Sequence, residues 1–387
     1  MNKKITLNET LNKIRRNAGI LDNPFTLSEI DWNEFSDVSK KCIDPNGLKE
    51  YLNGIVKNSE EKPSDREKLA LDKPYIHAKT IPFDEEGGID VDGFIKKITA
   101  MPNDLLSINM KMEKSKTDNS FSVNIGIPAL RGLVYDIDDQ KFYIVNTCPG
   151  AGTCAMICYA RKGSYVMFPD VFVKQTRILN LLLNYPERFE KLLKHELEII
   201  ALKNPTKEIQ FRWNDAGDFF TKKYHQIALN ITKNLKAEGY NIKSYAYTKM
   251  GDIINFNDDD MIVNFSTDAN KRELNKIKDI KGKKQAVTVP KSMFDDLFLK
   301  TTSGKNPSYQ VDDKGKLIYK DENGAQTLKQ RLSDEYGVDV NSILTYDEFL
   351  AKPKGNPLEY NIMVAPKGEG DIGAQRGDVQ YSFLMFH

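Results

Sequence analysis

Three of the chain's four cysteines fall within one stretch, Asn146-Thr147-Cys148-Pro149-Gly150-Ala151-Gly152-Thr153-Cys154-Ala155-Met156-Ile157-Cys158-Tyr159-Ala160-Arg161-Lys162-Gly163. Convergent thiolates bind soft metals. The glycine-rich segment can fold Cys148 back, and Cys154 and Cys158, four residues apart, share one face of a helical turn. Structural zinc asks for four ligands, usually from paired Cys-x-x-Cys or Cys/His elements; neither is present, so His195 or His225 would have to arrive through the fold. An iron–sulfur cluster held by three cysteines is the other reading, and it leaves one iron open to a substrate or cofactor. The bland alternatives are three small buried hydrophobes, or one disulfide with a leftover thiol. Cys42 stands alone.

These residues must be positioned by regular elements. Ser122 to Ile127 and Leu133 to Asp136 alternate in polarity, Asp138-Asp139-Gln140 turns the chain, and Lys141 to Val145 runs straight into the cysteine loop as a strand. Val171 to Leu183 has helical period, and Pro186 opens another helix through Leu202. Strands then alternate with helices: Ile209 to Trp213, a helix from Tyr224 to Ala237 stopped by Gly239, Lys243 to Tyr247, Met261 to Phe265, a helix from Lys271 to Ile277, and Gln285 to Val289. That alternation predicts parallel strands with helical crossovers, an α/β fold forming a partial or complete parallel (β/α) barrel. Residues 1–120 read as an irregular, mostly helical extension with helices at Leu7 to Ala18 and Leu48 to Asn58. Residues 121–387 read as the barrel-like metal-binding domain, with an insertion near 300–325.

In such folds the working residues lie past the carboxyl ends of the strands. The cysteine loop follows the first strand, Asn214-Asp215-Ala216-Gly217-Asp218 the second, Thr248-Lys249 the third and Ser266-Thr267-Asp268 the fourth, so four polar clusters should open on one rim. Each has a bland reading: Asp218 or Thr221 could cap the following helix, Asp268 the next, and Lys249 could be a solvated turn residue. Arg212, on an otherwise apolar strand beside Trp213, suits a carboxylate or phosphate. Asp215 and Asp218 could serve as acid and base, or as ligands for a cationic substrate. The C-terminal loop with Asp371 and Arg376 is charged and glycine-rich: a second ligand-facing element, or a surface turn.

Composition sets limits. Fifty-six lysines and arginines nearly cancel fifty-five aspartates and glutamates, which excludes a global polyanion-binding field, though Arg161, Lys162, Lys174 and Arg177 beside the cluster could face phosphate. No run is apolar for the eighteen or so residues of a membrane span, and the cysteines do not form a secreted disulfide framework; the expectation is a soluble, cytoplasmic protein in a reducing compartment.

Cys148-Pro149-Gly150 with Cys154 and Cys158-Tyr159-Ala160, Arg212-Trp213-Asn214-Asp215-Ala216-Gly217-Asp218-Phe219, and Tyr245-Ala246-Tyr247-Thr248-Lys249 together resemble the phage Gene product 88 domain family. The likeness implies a phage protein, working in the host cytoplasm if phage-encoded. The order of cysteine loop and strand ends is more distantly similar to radical-SAM-type proteins such as spore photoproduct lyase. That likeness implies a 4Fe–4S cluster on Cys148, Cys154 and Cys158 with S-adenosylmethionine at the open iron. It puts Tyr159 at the aromatic position by the last cysteine, faces Asp215 and Asp218 to cofactor or substrate, and sets Lys249 and Ser266 on the rim. Together with the residue readings above, the candidate catalytic side chains are Asp215, Asp218 and Lys249, and the candidate binding ones Tyr159, Arg212, Asn214, Ser266, Asp371 and Arg376. Here the cysteines run CxxxxxCxxxC rather than CxxxCxxC and no Gly-Gly-Glu-Pro element follows; and where the likeness to the Gene product 88 family implies a C-terminal cysteine group, Ala365-Pro366 and the Gly370 to Asp378 loop stand. The expected function is an iron–sulfur enzyme acting on a nucleic acid or nucleotide. The alternatives are a zinc-stabilised base-exchange (transglycosylase-like) enzyme, or a metal-stabilised binding protein that blocks a host factor.

Overall fold

The computed structural model describes residues 35, 37–59, 72–108, 119–156, 158–254, 260–301, 309–313, 317–363, 371 and 373–385. The expected helix at Leu7 to Ala18, Ala365-Pro366 and part of the 300–325 insertion lie outside them. In chain order the elements are β1 (Lys40–Ile43), α1 (Pro45–Ser59), α2 (Val91–Thr99), β2 (Ser120–Asn124), β3 (Arg131–Asp136), β4 (Lys141–Asn146), α3 (Ser164–Met167), α4 (Pro169–Asn184), α5 (Pro186–Lys203), β5 (Glu208–Trp213), α6 (Lys222–Ala237), β6 (Ile242–Thr248), β7 (Met261–Ser266), α7 (Lys271–Ile277), β8 (Gln285–Val289), α8 (Lys291–Leu297), α9 (Gly324–Tyr336), β9 (Ile343–Leu344), α10 (Tyr346–Leu350), β10 (Tyr360–Met363) and β11 (Val379–Met385). Local chemistry sets several boundaries. Pro169 and Pro186 open α4 and α5, Thr221 caps α6 by accepting from Tyr224 N–H at 3.1 Å, and Asn270 caps α7 through Glu273 N–H.

Eight strands form one all-parallel sheet in the order β2-β5-β6-β7-β8-β11-β10-β9. Strands β2 and β9 are its edges. The sheet is therefore α/β as expected, but hydrogen bonds do not close it into a complete barrel. A second correction concerns the strand that leads into the cysteine loop. That strand, β4, lies outside the parallel sheet, in an antiparallel three-stranded sheet of order β1-β4-β3. The hairpin turn at Asp138-Asp139-Gln140 already required β3 and β4 to be antiparallel, and a parallel sheet has no place for such a pair. The first strand of the parallel sheet is instead β2, and the segment 37–59 supplies β1 and α1 to the small sheet. Leu48, Leu52, Phe94 and Ile98 bury themselves there against Leu133, Phe142 and Phe172.

The two faces of the large sheet differ in kind. Val123, Phe211, Trp213, Ala246 and Val263 point one way and pack on Leu193 and Leu197 of α5 and Ile227 and Ile231 of α6. Alternation sends their neighbours the other way: Ser122, Asn124, Gln210, Arg212, Tyr245, Tyr247, Asn264 and, across the sheet, Ser382. Helix-covered parallel strands are normally apolar on both faces. Here one face is polar and yet largely buried, with Ser122, Asn124, Tyr245 and Asn264 wholly inaccessible. The segment around Asp371 to Gln375 lies on this face: Asp371 meets Arg212, and Ala374 C=O accepts from Asn264 Nδ2 at 3.1 Å.

Candidate functional site

The cysteine loop reaches the rim of the large sheet although its own strand does not belong to that sheet. Main-chain hydrogen bonds hold it there. Thr147 C=O accepts from Asp218 N–H at 3.0 Å, Asp268 C=O from Gly152 N–H at 3.1 Å, and Gly150 C=O from Asn270 N–H at 2.9 Å, while Asn270 Nδ2 donates to Pro149 C=O at 3.0 Å. The approach is close enough to require glycine. A Cβ on Gly150 would overlap the Lys249 carbonyl, and one on Gly152 would sit 2.6 Å from the carbonyl oxygens of Asp268 and Ala269. Those neighbours are backbone and cannot turn aside. Gly152→Ala is therefore expected to lower unfolding stability by about 1–3 kcal/mol, read as a midpoint shift in urea. An unchanged midpoint would mean that the loop is not seated on the rim.

The expected single rim cluster resolves into two adjoining groups. The first surrounds the thiols. Cys148 Sγ accepts from Leu130 N–H at 3.3 Å, and Leu130 holds φ +64°, an uncommon conformation for a branched residue. Burial pushes the Cys148 thiol up to about 12, with the Asp218 carboxylate adding to the rise and the Leu130 N–H and Lys249 opposing it. Burial also raises Cys154, against the pull of Lys249. Asp218 is fully placed: Thr248 Oγ1 donates to Oδ1 at 2.6 Å, Lys249 N–H to Oδ2 at 2.9 Å and Phe219 N–H to Oδ1 at 2.7 Å. Its carboxyl is nonetheless raised, because burial outweighs Lys249 and these donors. Burial works against the Lys249 ammonium, but the fields of Cys154, Asp218, Cys148 and Asp268 outweigh it and hold the group above the ordinary lysine value. Asp268 does not cap a helix; it accepts from Thr288 Oγ1 at 2.6 Å.

The second group lies on the polar face. Arg212 Nη1 donates to Asp371 Oδ2 at 2.6 Å, Tyr245 and Tyr247 hydroxyls donate to the same carboxylate at 3.2 and 3.3 Å, and the guanidinium lies 5.1 Å from the Tyr247 ring centroid. Asp215 adjoins it. Its Oδ2 accepts from Asn124 Nδ2 and Tyr165 OH, both at 3.0 Å, and its carbonyl accepts from Tyr159 OH. Asn214, at φ +53°, turns the chain just before Asp215 and accepts from Tyr224 OH at 2.8 Å.

Other expected residues fall elsewhere. Arg376 pairs with Asp378 and stacks 4.4 Å over Phe349, at the β9–β10 end of the sheet. Ser266 engages through its carbonyl, which accepts from Ala269 N–H at 3.2 Å. The basic residues beside the loop serve the fold: Lys174 pairs with Asp104, Arg177 Nε donates to Lys97 C=O, and Arg161 donates to Lys73 C=O. His195 bonds Glu198 and His225 packs edge-on to Phe219, so neither comes to the cysteines. Leu130, Asn124, Tyr165, Tyr245 and Tyr247 belong to the site without having been singled out by sequence. Only the tyrosines, inside the Tyr245-to-Lys249 motif, carried any signal.

In kind, the donors suit a thiolate-bound metal or cluster: three thiols on one loop, an amide N–H aimed at one sulfur and an ammonium facing two of them. Among the described residues, however, no three His, Cys, Asp or Glu side chains are gathered closely enough to hold a metal ion. The metal-free thiols have a measurable signature. At pH 8 a thiol titrating near 12 is ionised in about one molecule in ten thousand. Under native conditions the exposed Cys42 should therefore react with iodoacetamide well before Cys148. Equal rates would mean that the Cys148 thiol is not raised as described.

No helix among the described residues is long and apolar enough to cross a membrane. No curated protein and no solved structure matches the chain. The model of the family described as Gene product 88 matches residues 104–334, more than half of the chain, and the span takes in the cysteine loop, both aspartates and Lys249. The chain thus belongs to the phage Gene product 88 family.

Proposed function

We propose that the chain is an enzyme whose reaction centre lies where the cysteine loop meets the carboxyl ends of β5, β6 and β7. Cys148, Cys154 and Cys158 would ligate an iron–sulfur cluster, and a nucleotide or nucleic acid would be the substrate. The observation that carries this reading is the docking of the loop, by four hydrogen bonds, on the part of a parallel sheet where α/β proteins act. Membership of a phage family supports the substrate class. When bound, such a cluster supplies one-electron chemistry with S-adenosylmethionine as co-reactant at the open iron.

The chain's own residues have separable tasks. Leu130 N–H would stabilise the Cys148 sulfur as a thiolate, and the Lys249 ammonium would offset thiolate charge beside it. Asp218 is oriented by Thr248 and two backbone N–H groups, which leaves it able to take or return a proton at the edge of the thiol group. Asp215, Tyr159 and Tyr165 form a hydrogen-bonded wall between that edge and the polar face.

The raised Asp218 carboxyl favours a second reading: zinc on the cysteines, with Asp218 as base or nucleophile in base exchange. Incubating anaerobically reconstituted, reduced protein with S-adenosylmethionine separates the two. Cleavage of the cofactor is the expected result. Zinc-loaded protein that forms a covalent adduct with nucleic acid, lost in Asp218→Asn, would replace the first reading by the second. Zinc with no turnover would favour a binding protein.

A further inference from the structure

Of the eight large apolar side chains that stand exposed among the described residues, four fall between positions 156 and 168: Met156 (77% exposed), Tyr159 (49%), Met167 (66%) and Phe168 (53%). Single exposed apolar residues are ordinary, but four on one short segment mark a contact surface. The local fold forces the exposure. Tyr159–Arg161 is a single tight turn in which Lys162 N–H donates to Tyr159 C=O at 3.1 Å, and Gly163 reverses the chain at φ +51°. Helix α3 follows, with Met167 N–H donating to Gly163 C=O at 3.0 Å, and it buries none of its side chains. The segment adjoins the proposed reaction centre. Tyr159 OH donates to Asp215 C=O and Tyr165 OH to Asp215 Oδ2 at 3.0 Å, and the two rings meet edge to face at 5.7 Å. That ring contact brings the Tyr159 turn against α3, and a group lying on the Tyr159 ring stands beside Asp215.

Charge selects the occupant. From Gln140 to Pro169 the chain has no acidic residue, and Arg161 and Lys162 lie among the apolar side chains. Lys162 is exposed, Arg131 stands near enough to Arg161 to act on it electrostatically, and Lys73 C=O accepts from Arg161 Nη2 at 3.0 Å. Against these four cations stand Asp170, which ends the acid-free run, and Asp72. Exposed aromatic and thioether groups under an excess of positive charge suit a polyanion that also offers apolar faces. A single strand of nucleic acid has both. In a duplex the bases cover one another, and a surface patch meets chiefly phosphate and sugar. An anionic membrane is served by denser basic clusters and would leave the tie to Asp215 without a use. We propose that Met156, Tyr159, Met167 and Phe168, with Lys162, form a platform on which bases of a single-stranded nucleic acid stack as the strand enters the reaction centre. The proposal rests on the nucleotide reading above and narrows its substrate to a single strand.

Metal-free full chain suffices for the test, so its failure is distinct from failure of the cluster reading. Four fluorescein-labelled probes of about twenty nucleotides are titrated by anisotropy at about 50 mM salt: single-stranded DNA, single-stranded RNA, the matching DNA duplex, and a strand of abasic sites with the same charge. DNA or RNA single strand is expected to bind saturably, with duplex and abasic strand weaker by about tenfold or more. Phe168→Ala should weaken the strand about tenfold, the loss of one stacked base, and Lys162→Ala about threefold. The Phe168 ring is exposed, so its removal takes nothing from the core. Leu202→Ala, also exposed but at the end of α5 that leads to the amino end of β5, should leave affinity unchanged. Overturning results are no binding of either single strand to folded protein, equal binding of the duplex or the abasic strand, or binding insensitive to Phe168→Ala. If no strand binds and Phe168→Ala instead dissociates a dimer in sedimentation, or releases the chain from phosphatidylserine vesicles, the patch belongs to a second copy or a membrane and the proposal falls. Calorimetric binding of a mononucleotide without any strand would overturn it too, while leaving the nucleotide reading in place.

Discussion

Asp371→Ala is expected to lower the unfolding free energy by about 3–5 kcal/mol, the cost of stranding one buried charge. Arg212 and Asp371 are only 6% and 3% exposed, 159 residues apart in the chain and joined at 2.6 Å, so water offers the guanidinium little compensation when the carboxylate goes. Tyr245 and Tyr247 lose an acceptor at the same time. Removing both charges should do less harm than removing one: Arg212→Met with Asp371→Leu is expected to recover much of the loss, because the desolvation cost disappears along with the attraction. Chemical denaturation of the parent, Asp371→Ala and the double variant measures this. A single variant indistinguishable from the parent would mean that the segment around Asp371 is not clamped to the sheet.

The second large effect concerns the thiols. Replacing any one of Cys148, Cys154 or Cys158 by alanine is expected to abolish the visible absorption of reconstituted protein, since a three-cysteine site has no spare ligand, and Cys42→Ala should leave it intact. Cys42 lies on β1, outside the loop. Loss of absorption in Cys42→Ala, with the loop variants unaffected, would move the site away from the rim.

How much of this could be read from sequence depended on whether the signal was local. Helix α4 and strands β5 to β8 followed from periodicity and proline or glycine punctuation, because each buries one stripe or face against neighbours close in sequence. The place of β4 did not. A strand that runs directly into a polar loop looks the same whether its partners are parallel or antiparallel, and only the pairing with β1 and β3 decides. The rule that rim residues follow strand ends finds Asp218 and Lys249, after β5 and β6, but does not account for the thiols, whose loop follows β4 of the other sheet and reaches the rim through main-chain hydrogen bonds. The N–H of Leu130 was not legible, because a main-chain donor made available by a positive φ leaves no mark on residue type. Likewise Arg212 announced itself by standing on an apolar strand, whereas the polar face around it appears only when register aligns Asn124, Tyr245 and Asn264 across three other strands.

The central claim, that the cysteine loop is the metal-binding edge of a rim site, is tested most directly by metal analysis of the full chain reconstituted anaerobically with iron and sulfide. About four irons per chain with broad visible absorption, as for a cubane cluster, is the predicted result. Stoichiometric zinc with no iron uptake would contradict it.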